Sequence, residues 1–215
     1  MIKNDKFFVF DDVLNLPEHQ NLFNYLKTLR WTSEWSSSTH TGGLNREDPI
    51  WHWNYSFFQV HGGMPAITPE EYQKLSVDHP AVIALWEKVS EIIKQHLGKF
   101  NILRLYSNCN PYGNSGYPHI DDGDYTMVYY PCVKWDSTWE GGTCFYEGTQ
   151  DKENEYDAIR YVSYKPNRLI IFPAHVPHRG MPVDRRCYVP RYVIAMKLQR
   201  DVNDPEYMKQ YYNKG

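Results

Sequence analysis

The chain has 215 residues and a formal net charge of −3 at pH 7. That is long enough to bury a substantial core, and it lacks the basic excess that marks a phosphate-binding surface. Aromatic residues make up 16%, with 18 tyrosines and 7 tryptophans, a composition suited to half-buried pleated surfaces rather than a helical bundle. The four cysteines, Cys109, Cys132, Cys144 and Cys187, form no C-x-x-C pair. No apolar run approaches the roughly 20 residues that a membrane span needs, and the opening residues lack a leader pattern. The expectation is a reduced, cytoplasmic protein that binds neither nucleic acid nor membrane.

In chain order, Phe7 to Phe10 reads as a first strand. A helix from Pro17 to Arg30 follows, with Leu22, Leu26 and Leu29 as its buried stripe. The segment WSSSTHTGGLNREDPIWHWNYSFFQVHGG reads as strands joined by a long loop, and long loops in compact domains tend to carry function. From Pro80 to Leu97, Val82, Trp86, Val89, Ile93 and Leu97 recur at helical spacing, and Gly98 supplies the stop. Beyond it the pattern breaks into short β segments: Asn101–Tyr106, Tyr117–Asp121, Tyr125–Tyr130, Thr143–Tyr146, Ala158–Ser163, Arg168–Phe172 and Pro190–Leu198. Their regular spacing predicts a mainly β protein in which two N-terminal helices pack on a jelly-roll core, a double-stranded β-helix.

The stretch GYPHIDDGDYT, residues 116–126, puts one histidine among three aspartates. On a strand, residues i and i+2 share a face, so His119 and Asp121 converge. Asp122 then points away, and Asp124 follows a turn at Gly123. Two ligands alone make a weak site. A second histidine near the end of a later strand would complete a 2-His-1-carboxylate triad, which occupies one face of an octahedral ion and leaves three positions open. The string RLIIFPAHVPHRGMPV offers both His175 and His178, and spacing does not choose between them. The strand after it, RYVIAMKL, opens on Arg191, a cation able to reach into the same cavity.

His119-x-Asp121, a distal histidine and an arginine on the following strand resemble the 2-oxoglutarate/Fe(II) oxygenase superfamily, and most closely its prolyl-4-hydroxylase-like branch. The strings VYYPCVKWD, WEGGTCFY, PNRLIIF, VPHRGMPV and RYVIAMKL stand in that family's order and cover residues 100–198, while the N-terminal half matches only in outline. The resemblance implies a single domain over 1–215, in which 1–98 supply supporting helices, strands and a substrate loop and 99–200 the jelly-roll core with its metal site. It implies Fe(II) held by His119, Asp121 and His178. His178 is selected because the family's distal ligand precedes a short loop containing a proline; His175 is then a neighbour. It also implies 2-oxoglutarate and dioxygen as cosubstrates, with ascorbate as a stimulant. Arg191 takes the distal carboxylate of 2-oxoglutarate, for which a planar guanidinium is well shaped. Tyr130 is either a hydroxyl partner of that carboxylate or a packed core aromatic. Tyr106 stands near the cosubstrate, and Thr126 faces the cavity. The interval from His178 to Arg191 is longer than the family's usual one, and Arg185 and Arg186 within it read as solvated turn residues.

The implied activity is a dioxygenase that couples oxidative decarboxylation of 2-oxoglutarate to C–H hydroxylation, with peptidyl proline as the expected substrate. Trp51 and Trp53 either belong to the core or wall a substrate groove, and Tyr117 has the same two readings. The enzymatic alternative is a hydroxylase of a free amino acid or small metabolite. The alternatives of another class are a non-catalytic jelly-roll binding protein and a zinc hydrolase using the same ligands. A free acid needs a cation for its own carboxylate, and no second arginine reads as lying beside the triad: Arg179 points away and Arg46 lies in a loop. A nucleic-acid demethylase of the superfamily would place a second arginine where this chain has Lys197.

Overall fold

The computed structural model describes residues 7–35, 52–60, 67–147, 157–201 and 203–204. A short strand β1 (Phe8–Phe10) precedes helix α1 (Leu16–Leu26). Strands β2 (Thr32–Trp35) and β3 (His52–Gln59) lead to helices α2 (Pro69–Asp78) and α3 (Pro80–His96). The β half follows as β4 (Phe100–Asn110), β5 (Tyr125–Tyr130), β6 (Thr143–Glu147), β7 (Asp157–Val162), β8 (Arg168–Pro173), β9 (His178–Gly180) and β10 (Arg191–Arg200).

Local chemistry sets the helix ends. Asn15 and Thr68 cap α1 and α2: each side chain accepts the N3 amide while the N3 glutamate, Glu18 or Glu71, reaches back to the cap. α1 stops at Leu26, short of the expected Arg30, because the chain closes into a turn in which the Thr28 hydroxyl donates to the Tyr25 carbonyl at 2.8 Å. α2 was not expected. Its sequence PEEYQKLSVD buries only Leu75, so it carries almost no apolar periodicity. α3 ends at His96, and just beyond it Gly98 takes a φ of +93°, which suits a residue without a Cβ.

All strand pairs are antiparallel. They build a seven-stranded sheet in the order β1-β8-β5-β10-β4-β3-β2 and a three-stranded sheet in the order β7-β6-β9. Alternation along each strand sorts its side chains between two cores. Met127 and Tyr129 of β5, Leu169 and Ile171 of β8, and Ile194 and Met196 of β10 pack against Leu22, Leu26, Leu85, Val89 and Ile93 of the helices. The intervening Val128 and Tyr130, Ile170 and Phe172, and Val193 pack instead with Phe145 and Val162 of the smaller sheet. This is the expected jelly-roll sandwich with helices on its outer face. Because both faces of the large sheet are covered, its central strands read as nearly unbroken hydrophobic runs.

Two strand expectations are corrected. β4 runs on past Tyr106 to Asn110; its polar ending SNCN reads as a turn, but its alternate residues line a polar cavity. Tyr117–Asp121 is not a strand: His119 alone forms an isolated bridge, to His178, with backbone bonds of 3.0 and 2.9 Å. Pro118, which has no N–H, interrupts any ladder there. Asp121 is pinned separately, its N–H donating to the Ala174 carbonyl at 2.9 Å. No described helix is long and apolar enough to cross a membrane.

One buried side chain ties the N-terminal segment to the sheet. Asn167 sits at φ +61°, a conformation asparagine tolerates better than most residues. Its amide oxygen accepts from Leu14 N at 2.9 Å and from the Tyr129 hydroxyl at 2.8 Å, and its nitrogen donates to Leu14 O at 2.7 Å. Replacing it by alanine strands three buried polar partners, so Asn167→Ala should destabilise by about 2–4 kcal/mol in urea unfolding. The exposed Thr28→Ala should stay within about 0.5 kcal/mol. Similar losses for the two would refute this role.

Candidate metal centre and cosubstrate pocket

The register of β10 against β4 builds the site. Arg191, Val193, Ala195 and Lys197 pair with Asn110, Asn108, Tyr106 and Arg104. All eight line one cavity between the sheets, together with His119, Asp121 and His178.

The three ligand candidates converge. Their donor atoms lie within 4.8 Å of one another. His178 Nε2 is 3.2 Å from Asp121 Oδ2, and His119 Nε2 is 3.6 Å from Asp121 Oδ1. Two ligands at right angles on an ion with bonds of about 2.1 Å stand roughly 3 Å apart, so these separations suit a common ion. The ring tautomers suit one too. His119 Nδ1 lies 2.8 Å from Tyr117 O, and His178 Nδ1 lies 2.9 Å from Val176 O. Each ring therefore donates from Nδ1 to a backbone carbonyl and turns the lone pair of Nε2 toward the centre. Burial, reinforced by the neighbouring His178, lowers the His119 pKa to about 4, which keeps that imidazole neutral and able to ligate.

Asp121 holds the arrangement together. Burial alone would push its carboxyl upward, but Lys197 and the two imidazoles outweigh that and hold it well below the usual carboxylate range. Thr126 donates to Oδ2 at 2.6 Å, and the Lys197 ammonium contacts the same oxygen. Burial opposes the charge on Lys197, yet Asp121 keeps its pKa above the ordinary lysine value. The donor set, the tautomers and the anchored carboxylate all fit a divalent cation with nitrogen and oxygen preferences such as Fe(II).

At the other end of the cavity lies Arg191, 4% exposed. Its Nε donates to Gly141 O, and its guanidinium stands 5.8 Å from the centre of the Tyr130 ring. The Tyr130 hydroxyl is 2.8 Å from Thr143 Oγ1. Gly180 leaves the room: a Cβ there would fall 3.0 to 3.2 Å from the guanidinium atoms. A buried, oriented guanidinium beside two hydroxyls is a fitting receptor for a carboxylate.

Tyr106 lines the cavity. Thr126 meets Asp121 rather than the cosubstrate end. His175 is exposed, as are Arg185 and Arg186, and Arg179 turns toward Met181 Sδ at 3.3 Å. Of its two readings Trp53 loses the core one: it is 43% exposed and does not line this cavity, while its neighbours His52 and Asn54 take the buried face of β3. Tyr117 reaches the triad through its backbone carbonyl and does not line the cavity. Trp51 and Arg46 lie outside the described residues. Arg104 was missed as a cavity residue, although its place in the alternation NILRLY, two residues before Tyr106, was a usable signal.

The fold is shared with solved oxygenases. An oxidoreductase of the 2OG-Fe(II) oxygenase family from Burkholderia pseudomallei superposes with a TM-score of 0.59 at 12% identity, covering 91% of this chain and 86% of the other. A Pseudomonas putida prolyl-4-hydroxylase gives 0.54 at 13% identity, covering 92% and 94%. A Trichoplax adhaerens prolyl hydroxylase, in complex with a hypoxia inducible factor oxygen degradation domain peptide fragment, gives 0.50 at 18% identity, covering 90% and 83%. At these identities the likeness is one of fold. No curated protein matches the sequence. Residues 106–198 match the 2OG-Fe(II) oxygenase superfamily model, a span that contains His119, Asp121, His178 and Arg191. Over those residues the chain is similar to that superfamily, on a fold shared with prolyl-4-hydroxylases, and the superfamily implies Fe(II), 2-oxoglutarate and dioxygen.

His178→Ala should weaken Mn(II) binding by more than about 100-fold, whereas His175→Ala should leave it nearly unchanged, as read by electron paramagnetic resonance titration. The reverse outcome would move the distal ligand. Arg191→Ala should weaken 2-oxoglutarate binding to the Mn(II)-loaded protein by roughly 30-fold or more, the ~2–5 kcal/mol of a broken buried charge pair. Gly180→Ala should produce a smaller loss of the same kind. Calorimetry finding Arg185→Ala equally damaging would contradict the pocket assignment.

Proposed function

We propose that the protein hydroxylates a C–H bond with Fe(II) held by His119, Asp121 and His178, and with 2-oxoglutarate held by Arg191. The observation that carries the reading is the union of triad and buried guanidinium in one cavity. When bound, the iron supplies the redox chemistry by which dioxygen oxidises 2-oxoglutarate to succinate and CO2, with the second oxygen atom entering the substrate. The chain's own part is positional. The Nδ1 bonds of the two histidines fix their rings, Thr126 and Lys197 fix Asp121, and Arg191 with Tyr130 and Thr143 orients the distal carboxylate. Val193 and Ala195 give the cavity an apolar strip between its two charged ends.

Peptidyl proline is the substrate reading that fold likeness supports, since the neighbours include prolyl hydroxylases and one is bound to a peptide. The wall of this cavity favours the other reading, a small molecule bearing a carboxylate. Trp53 faces away, and the missing second cation is present as Arg104. We adopt the small-acid reading, with ascorbate as a stimulant of turnover. Fe(II)-dependent release of succinate and CO2 in equal amounts from 2-oxoglutarate should be lost in Asp121→Ala. Hydrolytic activity with zinc, and no consumption of 2-oxoglutarate, would refute the oxygenase mechanism.

A further inference from the structure

We infer that Asn108 and Asn110 form a receptor for a primary carboxamide of the substrate, on the side of the cavity away from the cosubstrate. The inference rests on the oxygenase reading above and names the group that this wall selects.

Placement comes first. Thr126 of β5 and Lys197 of β10 grip Asp121, and the carboxylate receptor at the other end is built by Tyr130 of β5 and Arg191 of β10. Both anchors therefore lie over β5 and β10. β4 pairs with β10, and β3 with β4, so their inward residues stand one and two strands, about 5 and 10 Å, to the side. Asn108 and Asn110 line the cavity from β4, and His52 lines it from β3. The two asparagines carry no charge, which suits a neutral polar group better than an ion.

The orientation of each amide is set by its neighbours. Asn54 Nδ2 donates to the Ser107 carbonyl at 3.4 Å and to Asn108 Oδ1 at 2.8 Å. A backbone carbonyl only accepts, so it fixes which way the Asn54 amide faces, and Asn54 in turn fixes Asn108. Asn108 thus commits its oxygen to the wall and keeps its Nδ2 hydrogens for the cavity. Asn110 is turned the other way. Its Nδ2 donates to Asn114 Oδ1 at 2.8 Å and meets His52 Nδ1 at 3.1 Å, so its hydrogens are used and its oxygen remains. Among the described residues no acceptor meets Asn108 Nδ2 and no donor meets Asn110 Oδ1. Both atoms stay accessible.

The chemistry of the partner follows. Residues i and i+2 of a strand share a face about 7 Å apart, so a donor and an acceptor stand side by side. The group that answers them must offer an acceptor and a donor along one edge. A primary carboxamide does, because one of its N–H bonds lies on the same side as its C=O. A trans peptide amide points the two in opposite directions, and the amide preceding a proline ring has no N–H at all. A carboxylate would satisfy Asn108 but meet Asn110 Oδ1 acceptor against acceptor. A site of this kind rejects analogues that lack either half, because its own polar atoms are then left unmet.

The test uses protein loaded with Mn(II) and saturating 2-oxoglutarate, with acetamide as the probe. The readout is the relaxation rate of the acetamide methyl protons, which a nearby paramagnetic ion increases. Acetamide should show saturable enhancement. Acetone, which has the same shape without the N–H, and N-methylacetamide, a trans secondary amide, should show several-fold less. Asn108→Leu should weaken acetamide binding by about fivefold or more, with Mn(II) and 2-oxoglutarate affinities kept within about twofold. Asn54 retains the Ser107 carbonyl in that variant. Asn108→Asp, which keeps the acceptor for Asn54 and removes the donor, should weaken acetamide binding as well. Equal enhancement by acetone, or unchanged acetamide affinity in either variant, overturns the receptor. Equal or stronger enhancement by N-methylacetamide overturns the primary carboxamide in favour of a peptide. Loss of 2-oxoglutarate affinity in Asn108→Leu also overturns it, because Asn108 would then serve the cosubstrate. Failure of the unaltered protein to bind Mn(II) and 2-oxoglutarate would instead refute the oxygenase reading.

Discussion

A carboxylate taken out of water must be compensated, and the architecture around Asp121 is organised by that requirement. Two imidazoles, the Thr126 hydroxyl and the Lys197 ammonium surround it. Thr126 comes from β5 and Lys197 from β10, which pair with each other at these two residues. The two imidazoles come from segments joined by the His119–His178 bridge. Shifting any of these strands by one residue would turn the compensating groups to the helix side and leave the acid buried without them. The register of the large sheet and the chemistry of the site are therefore one constraint.

The sheet serves two solvents. Its outer face packs against α1 and α3 through aliphatic side chains. Its inner face is apolar at the β5–β8 end and mostly polar along β4 and β10. The helices contribute no side chain lining the cavity. Their role is to bury the back of the strands that do, which keeps the inward residues fixed without spending cavity wall on stability.

Much of this was legible in the sequence because local pattern and tertiary role agree. β5, β8 and β10 have the apolar density of strands covered on both faces, and His119-x-Asp121 converges because His119 is bridged to His178 and Asp121 is bonded to Ala174. The assignment of His178 over His175 came from the family resemblance; spacing alone left it open. The failures have physical reasons. α2 is amphipathic with one buried residue, too weak a stripe to register. β4 was cut short because asparagines that line a cavity look the same in sequence as asparagines in a turn. Chemistry alone left Trp53 between core and groove wall; phase, which puts His52 and Asn54 inward, excludes the core. Arg104 escaped notice because it precedes the motif by fifteen residues in sequence and meets it only across the sheet.

The central claim is that one cavity holds iron and 2-oxoglutarate together. A keto acid chelating Fe(II) gives a visible charge-transfer absorption that neither component gives alone. Anaerobic titration of 2-oxoglutarate into the Fe(II)-loaded protein should raise that absorption to saturation at equimolar cosubstrate. The band should persist without dioxygen and fade as succinate forms when air is admitted. An Fe(II)-loaded protein that binds 2-oxoglutarate without developing the band would place the acid away from the ion and contradict the account.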